Sequence, residues 1–181
     1  MVWINRRRMY MKNIQGEICN YKLDKPYPPI RVEAPNSNYA CEMLSNMADV
    51  VSEMSDVAKY FYISVVTRPY SSYMSACFHH ISIVEMHHLD MFAQLAQLLG
   101  ADPRLWNCRD RSRWWSPSFI GYPKEIKGLL EESIEAETAA IRKYSRQART
   151  ICDQNIVEIL NRIILDEERH RQIFEKMCQQ I

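Results

Sequence analysis

Glycine is scarce in this sequence, with 4 among 181 residues. Short Val/Ile runs alternating with Gly/Asn/Asp turns are also missing, so the usual signals for strands and hairpins are largely absent. The composition, with 47% hydrophobic and 25% charged residues, is nevertheless that of a globular protein with a substantial core. We therefore predict an all-α fold with one main domain.

The cysteines lack any paired spacing. No Cys-x-x-Cys occurs, which excludes a rubredoxin-type iron site, a zinc ribbon and a thioredoxin motif. Dispersed thiols are typical of the reducing cytosol, so a cytoplasmic location is expected. The cysteines stand singly, at Cys19, Cys41, Cys77, Cys108, Cys152 and Cys178.

Long apolar runs are absent as well: no eighteen apolar residues stand together, and the charged N-terminus has no apolar signal segment. The formal net charge of +1 is uneven, because residues 1–35 and 101–124 together carry +7 and the rest carries −6. A basic tail and a basic loop are more often solvated surface than a nucleic-acid-binding face. We expect neither nucleic acid nor a membrane as a partner.

Proline and glycine divide the chain into an arm and a domain. Residues 1–35 end in PYPPIRVEAP, which favours an extended arm lying over a domain at 36–181. The crossover loop 101–123 is rich in Trp and Pro and, at roughly 3.3 Å per residue, could cross the full length of a bundle. Hairpin, crossover, hairpin is the order of a four-helix bundle with one crossover connection. Helical patterns cover about 36–67, 71–99, 124–150 and 153–181.

Two Glu-x-x-His motifs stand on different predicted hairpins, Glu85 to His88 in the second helix and Glu167 to His170 in the fourth. Residues three apart share a helix face, so each motif presents a carboxylate and an imidazole to one point. Both motifs fall in apolar stripes and are predicted to face the core. His87 points about 200° away from Glu85 and is expected at the surface or an interface.

The first helix of each hairpin offers a partner carboxylate. Glu137 lies in the apolar stripe of the third helix, whereas Glu135 lies on its polar side. In the first helix, Glu53 lies at the edge of an apolar stripe. That stripe consists of Met47, Val50, Met54, Val57 and Phe61, with Asp49 and Asp56 on the polar side.

Tyrosines recur at one spacing from these two acids. Tyr60 follows Glu53 by seven residues, and Tyr144 follows Glu137 by seven. A tyrosine two turns along the same helix face can hydrogen-bond a ligand carboxylate or relay electrons. Tyr60 and Tyr144 are therefore candidate functional residues, although core tyrosines are also common.

Four inward carboxylates would repel one another and lose hydration, at a cost of several kcal/mol per ion. They could be protonated, or they could be neutralised by metal. Two divalent cations balance four carboxylates, and two neutral imidazoles complete an oxygen and nitrogen ligand set suited to iron or manganese, with zinc possible. A Glu from each of two helices plus Glu-x-x-His from each of the other two is the carboxylate-bridged dinuclear arrangement of such bundles.

The doubled motif resembles the ferritin-like superfamily of di-iron and di-manganese proteins, specifically its rubrerythrin, bacterioferritin and manganese-catalase relatives, over about residues 36–178. By that resemblance, Glu85 and Glu167 would bridge the metals. Glu53 and His88 would complete one metal's ligands, and Glu137 and His170 the other's. Asp166 would orient His88. Its counterpart before Glu85 is Val84, which leaves His170 without a matching acid.

The sequence departs from these relatives at several points. Ala140 stands where rubrerythrins usually carry a further glutamate, and no rubredoxin domain is encoded. The fifth helix of cage ferritins and the tail of encapsulated relatives are not found, so a small homo-oligomer such as a dimer is expected. Met86 matches the haem-ligating methionine of bacterioferritins, but methionine is a common packing residue and haem is not expected.

The resemblance implies a dinuclear oxidoreductase that acts on peroxide or dioxygen, or that oxidises ferrous iron. Two iron ions are the first expectation and two manganese ions the alternative. A reductase of this type would need an external electron donor. The alternative function is a non-catalytic structural or iron-storage protein in which the metal pair stabilises the bundle.

Overall fold

The fold is an all-α bundle, seen in a computed structural model that describes residues 20–108 and 113–181. No β-strand forms in these two ranges, which confirms the predicted fold class. Helices α2 and α3 form one hairpin, α4 and α5 form the second, and α1 packs on α3. The helices are α1 (Ser37–Ala48), α2 (Glu53–Thr67), α3 (Ser72–Leu98), α4 (Ile126–Thr150) and α5 (Gln154–Cys178), with a 3₁₀ turn at Pro117–Phe119.

Local sequence accounts for most of the helix ends. Asn36, Ser71 and Asp153 each accept hydrogen bonds from backbone N–H groups of the first helical turn of α1, α3 and α5. After α3 the chain reverses at Gly100, whose φ of +95° suits a residue without a Cβ. The predicted helix boundaries near these residues are therefore confirmed.

The prediction of one continuous first helix is wrong. The chain leaves the helical conformation at Asp49, which ends α1, and re-enters it after Ser52, which caps α2 by accepting a hydrogen bond from Ser55 N–H. Asp49 and Ser52 are residues whose short polar side chains compete with helical hydrogen bonding. The break lies immediately before Glu53.

The break also overturns the apolar stripe that was predicted for this segment. Val50 and Phe61 are 47% and 61% exposed, while Asp56, which the pattern placed on the polar side, is buried. The buried face of α2 instead carries Glu53, Tyr60 and Ile63. A helix that restarts after a break has a new rotational phase, so the stripe of α1 does not continue into α2.

Lys143 of α4 holds the break in place. Its Nζ donates to the carbonyl oxygens of Ser45 at 2.9 Å and Val51 at 2.7 Å, the first in α1 and the second within the break. Burial lowers the pKa of Lys143 to about 8. A cavity of about 440 Å³ lies beside it, lined in part by Glu42, Arg142 and Arg146.

The Trp-containing part of the crossover packs against the bundle. Trp106 and Trp115 pack against the core, and Trp115 Nε1–H donates to Ser55 Oγ at 3.0 Å, whereas Trp114 is 53% exposed. Cys108 in this loop forms a disulfide with Cys41 of α1. The expectation of dispersed free thiols is therefore wrong for these two cysteines, which are 67 residues apart in the sequence.

The described part of the arm, residues 20–35, runs against α5. Arg169 Nε donates to the Asn20 carbonyl at one end, and Glu33 N–H donates to Asp153 at the other. Residues 1–19 of the predicted arm lie outside the described residues. Among the described helices, none combines the length and the apolarity that a membrane crossing requires.

Replacing Lys143 with Met tests whether its two hydrogen bonds stabilise the break between α1 and α2. Met keeps most of the apolar stem but removes both hydrogen bonds, so we expect Lys143→Met to lower the free energy of unfolding by about 1.5–3 kcal/mol. Urea denaturation of the metal-free protein measures this. The control Arg142→Met removes an equal charge from an exposed neighbour and should cost no more than about 0.5 kcal/mol. An equal decrease in the free energy of unfolding in the two variants would contradict this role of Lys143.

Candidate metal centre

The six predicted ligands lie at mid-height in the bundle, between two hydrophobic clusters. One cluster contains Met47, Phe92 and Leu160, and the other contains Tyr60, Phe78 and Phe174. Helices α3, α4 and α5 each pass from one cluster to the other through their ligands, whereas α2 begins at Glu53 and contributes only to the second cluster. All six residues are at most 1% exposed: Glu53, Glu85, His88, Glu137, Glu167 and His170.

Glu85 and Glu167 lie between the two histidines. Glu85 places Oε2 at 3.0 Å from His88 Nδ1 and Oε1 at 2.8 Å from His170 Nδ1. Glu167 repeats this arrangement, with Oε1 at 3.2 Å from His88 Nδ1 and Oε2 at 3.1 Å from His170 Nδ1. Each carboxylate therefore directs one oxygen toward each imidazole, as a bridging ligand must.

Glu53 and Glu137 each lie near one histidine. Glu53 Oε2 is 3.7 Å from His88 Nδ1, and Glu137 Oε1 is 3.7 Å from His170 Nδ1. The result is two overlapping groups whose potential ligand atoms lie within 4.8 Å of one another. The groups are Glu53, Glu85, His88 and Glu167, and Glu85, Glu137, Glu167 and His170.

The predicted tyrosines reach the acids of the opposite hairpin. Tyr60 of α2 donates its O–H to Glu137 Oε1 at 2.5 Å, and Tyr144 of α4 donates to Glu53. Burial raises the pKa of both phenols well above the usual value, so they are donors at neutral pH. The seven-residue spacing identified the tyrosines, but it did not show that the hydrogen bonds cross between hairpins.

Burial and the charges of neighbouring residues together set the pKa values of these groups without metal. Burial raises the pKa of Glu53 and Glu137 well above the usual value, and neighbouring glutamates add to the rise. For His170, burial disfavours the charge, but Glu85 and Glu167 outweigh it and raise the pKa to about 10. For Glu85, burial likewise opposes ionisation, but His170 and His88 lower the pKa to about 2.

The donor set fits a pair of divalent ions. Glu85 Oε1 and Glu167 Oε1 are buried and lie near the histidines, yet neither accepts a hydrogen bond of acceptable geometry. Both Nδ1 atoms face the carboxylate oxygens, so a neutral imidazole could offer its lone pair there. Mixed carboxylate and imidazole ligands suit iron and manganese, whose charge would offset the four glutamates.

Asp166 supports His88 from outside the cluster. Its Oδ2 lies 3.3 Å from His88 Nε2, on the ring edge opposite the glutamates, which is the contact that the family resemblance implied. Tyr27 O–H also donates to Asp166 Oδ2, at 2.6 Å, and Arg162 Nη1 lies 2.8 Å from Oδ1. No sequence pattern pointed to Tyr27, which lies in the Pro-rich arm. Arg162 could have been noticed, because it stands one helical turn before Asp166.

The support is unequal for the two histidines. His170 Nε2 is buried and has no hydrogen-bond partner within the described residues. Val84, which occupies the position equivalent to Asp166, has no polar side chain to offer. The asymmetry that the sequence predicted is therefore present.

The residues adjoining the cluster follow the predicted faces. Glu135 and His87 are exposed, in contrast to Glu137 and His88. His87 packs edge-on against Tyr27, with ring centroids 4.7 Å apart. Met86 is 55% exposed.

Two crossover-linked helical hairpins with these doubled motifs define a protein of the ferritin-like class. The chain belongs to the rubrerythrin family, whose sequence profile matches residues 47–178. A search of curated protein sequences finds no significant match.

Solved structures share the fold. KatB, a manganese catalase from Anabaena, superposes with a TM-score of 0.78 at 18% identity, covering 87% of this chain and 78% of that chain. The Mycobacterium tuberculosis bacterioferritin BfrA gives a TM-score of 0.65 at 18% identity, covering 80% and 87%. The Rhodobacter capsulatus bacterioferritin gives 0.65 at 21% identity, covering 80% and 86%.

The stability of the metal-free protein and the stabilisation that metal adds should depend on pH in opposite ways. Between pH 6.5 and about 8, folded His170 keeps a proton that the unfolded chain releases, because its pKa rises from 6.5 to about 10. Glu53 and Glu137, whose pKa values are also raised, act in the same direction. Stability of the metal-free protein therefore falls as pH rises through this window.

Metal binding displaces these protons, so the stabilisation that Mn²⁺ adds should grow over the same window. Melting temperatures at the two pH values, in chelator and in excess Mn²⁺, test both statements. A melting temperature in chelator that rises with pH would contradict the first. A Mn²⁺ increment that shrinks with pH would contradict the second.

Proposed function

We propose that this chain is a dinuclear iron or manganese oxidoreductase that acts on peroxide or dioxygen, or that oxidises ferrous iron. The observation that supports this most strongly is the pair of overlapping ligand groups, which share Glu85 and Glu167. One group alone would also suit a mononuclear structural ion. Two groups sharing both central carboxylates favour a pair of ions close enough to act on one O–O bond.

Each residue would have a distinct role. Glu85 and Glu167 would bridge, Glu53 with His88 would complete one ion's protein ligands, and Glu137 with His170 would complete the other's. When bound, the ions would exchange electrons with the O–O bond and stabilise charge on its oxygens. Tyr144 and Tyr60 would hold Glu53 and Glu137 by their hydrogen bonds and so limit the motion of these two carboxylates.

Burial limits the size of the substrate. The six ligands are at most 1% exposed and lie between two apolar clusters, so a large organic molecule has no space against them. Dioxygen, hydrogen peroxide and a ferrous ion are small enough to reach such a site. The same apolar surroundings would exclude bulk water and strengthen electrostatic interactions within the site.

The ligand set suits both iron and manganese, so the proposal includes both metals. The similarity in fold to a manganese catalase makes peroxide disproportionation a reaction to test, and that reaction needs no external electron donor. Ala140 is buried and supplies no additional carboxylate beside Glu137. An iron-loaded peroxidase would also need a reductant, which disproportionation does not.

Replacing a bridging carboxylate tests the proposal. We expect the protein reconstituted with Fe²⁺ or Mn²⁺ to hold a pair of ions per chain and to consume hydrogen peroxide with at least one of the two metals. Glu167→Gln keeps the side-chain volume but removes a charge shared by both groups, so it should lower metal content and turnover by at least about tenfold. Glu135→Gln, at an exposed position of α4, is the control and should change neither.

Metal analysis and activity assays together separate the alternatives. Failure to bind iron or manganese would contradict the whole proposal. Binding of a pair of ions that raises the melting temperature, without turnover of peroxide, dioxygen or ferrous iron, would favour the structural function. Size measurement showing a large iron-filled assembly would favour storage.

Removing the phenolic hydroxyls tests the tyrosines. Tyr60→Phe and Tyr144→Phe leave the rings in the core but release Glu137 and Glu53, so each should reduce turnover by roughly 10–100-fold. Tyr39 belongs to neither ligand group, and its hydroxyl accepts a hydrogen bond from Cys152 N–H. Tyr39→Phe should therefore leave turnover unchanged. Wild-type rates in both core variants would contradict the role.

A further inference from the structure

We propose that Tyr27 is a positioning residue that acts on His88 through Asp166. We infer that this support makes the two metal subsites unequal, with the Glu53–His88 subsite binding its ion more tightly than the Glu137–His170 subsite. The inference rests on the proposed function, since it requires that a pair of ions binds. It adds an asymmetry in affinity and assigns a role to the arm.

The four groups around Asp166 divide between its two oxygens. Leu23 N–H donates to Oδ1 at 2.7 Å, and Arg162 Nη1 lies 2.8 Å from the same oxygen. Tyr27 O–H donates to Oδ2 at 2.6 Å, and His88 Nε2 lies 3.3 Å from that oxygen. Tyr27 therefore fixes the oxygen that faces the imidazole.

The arm is itself fixed against α5. Arg162 donates to the Leu23 carbonyl at 3.0 Å and to the Lys25 carbonyl at 2.9 and 3.0 Å. Its guanidinium also lies over the Tyr27 ring, 4.2 Å from the ring centroid. A single buried arginine thus holds the backbone and the aromatic ring that deliver the phenol to Asp166.

A fixed Asp166 determines which nitrogen of His88 carries the proton. The carboxylate accepts from Nε2–H, which leaves the lone pair on Nδ1 directed at the glutamates. Such outer partners orient a metal-binding histidine and raise its basicity, and their loss typically costs 10–100-fold in metal affinity. The Glu53–His88 subsite has this support.

The Glu137–His170 subsite has no equivalent support. His170 Nε2 is buried and finds no partner in the described part of the chain. Val84 occupies the position that corresponds to Asp166 in the other motif, and it lies beside the arm, in the lining of the same cavity as Tyr27 and His87. Without an acceptor, the tautomer of His170 that leaves Nδ1 free is not favoured by any hydrogen bond.

Stepwise titration of metal-free, full-length protein with Mn²⁺ tests the inference by calorimetry. We expect the wild type to bind a first ion at least about tenfold more tightly than the second. Tyr27→Phe keeps the ring over Arg162 but removes the hydroxyl, so the first step should weaken by up to about tenfold while the second step is unchanged. Tyr39→Phe, the matched loss of a phenolic hydroxyl, should alter neither step.

Electron paramagnetic resonance provides a readout that a merely structural role would not alter. With one Mn²⁺ added per chain, the wild type should show an isolated ion in one environment. Tyr27→Phe should show a second environment, because the ion then distributes between subsites of similar affinity. Melting temperatures of metal-free Tyr27→Phe and Tyr39→Phe control for loss of folding.

Supplying the missing acid is the reciprocal experiment. Val84→Asp places a carboxylate at the position equivalent to Asp166, and we expect it to tighten the second step by about tenfold or more. Two equal steps in the wild type, or equal weakening of both steps in Tyr27→Phe, would overturn the inference and leave the proposed function intact. Absence of Mn²⁺ and Fe²⁺ binding in every variant would overturn both.

Discussion

The burial of four glutamates at one level of the bundle is the constraint on which the rest of this structure depends. Each carboxylate is almost fully withdrawn from water, and each has an oxygen within 3.7 Å of a histidine nitrogen. Such a cluster is stable only if charge is neutralised locally, by protons in the metal-free protein or by cations when metal is bound. The apolar clusters above and below make that requirement stricter, because they keep solvent away from the site.

The break between α1 and α2 shows how the fold meets this constraint. A continuous helix would have continued the apolar stripe of α1 and left Glu53 at its edge. The restart at Ser52 gives α2 a new phase, which turns Glu53 and Tyr60 inward and leaves Phe61 exposed. Lys143 bonds to a carbonyl group of α1 and to one within the break, which ties the irregular backbone to α4. The break between α1 and α2 therefore positions Glu53 as a candidate metal ligand.

Support from outside the cluster is distributed unequally between the hairpins. The tyrosines are symmetric, because each first helix sends one phenol across to the other hairpin's glutamate. The histidines are not: within residues 20–108 and 113–181, His88 alone of the two faces an aspartate, and that aspartate is held by the arm and by Arg162. The arm therefore belongs to the surroundings of the centre as well as to the surface of the bundle. The two metal positions of a symmetric-looking motif would consequently differ in their chemistry.

The sequence by itself determined the all-α fold, the two hairpins and the faces of Glu85, His88, Glu137, Glu167 and His170. These follow from helical periodicity and the placement of Gly100 and Pro69, which are local properties of the chain. Only the tertiary structure decided the phase of α2, the Cys41–Cys108 pairing and the contact of Tyr27 with Asp166. None of these three features follows from a periodic pattern in the sequence. A break of a few residues leaves the periodicity before it intact, and a hydrogen bond across 139 residues has no local signal.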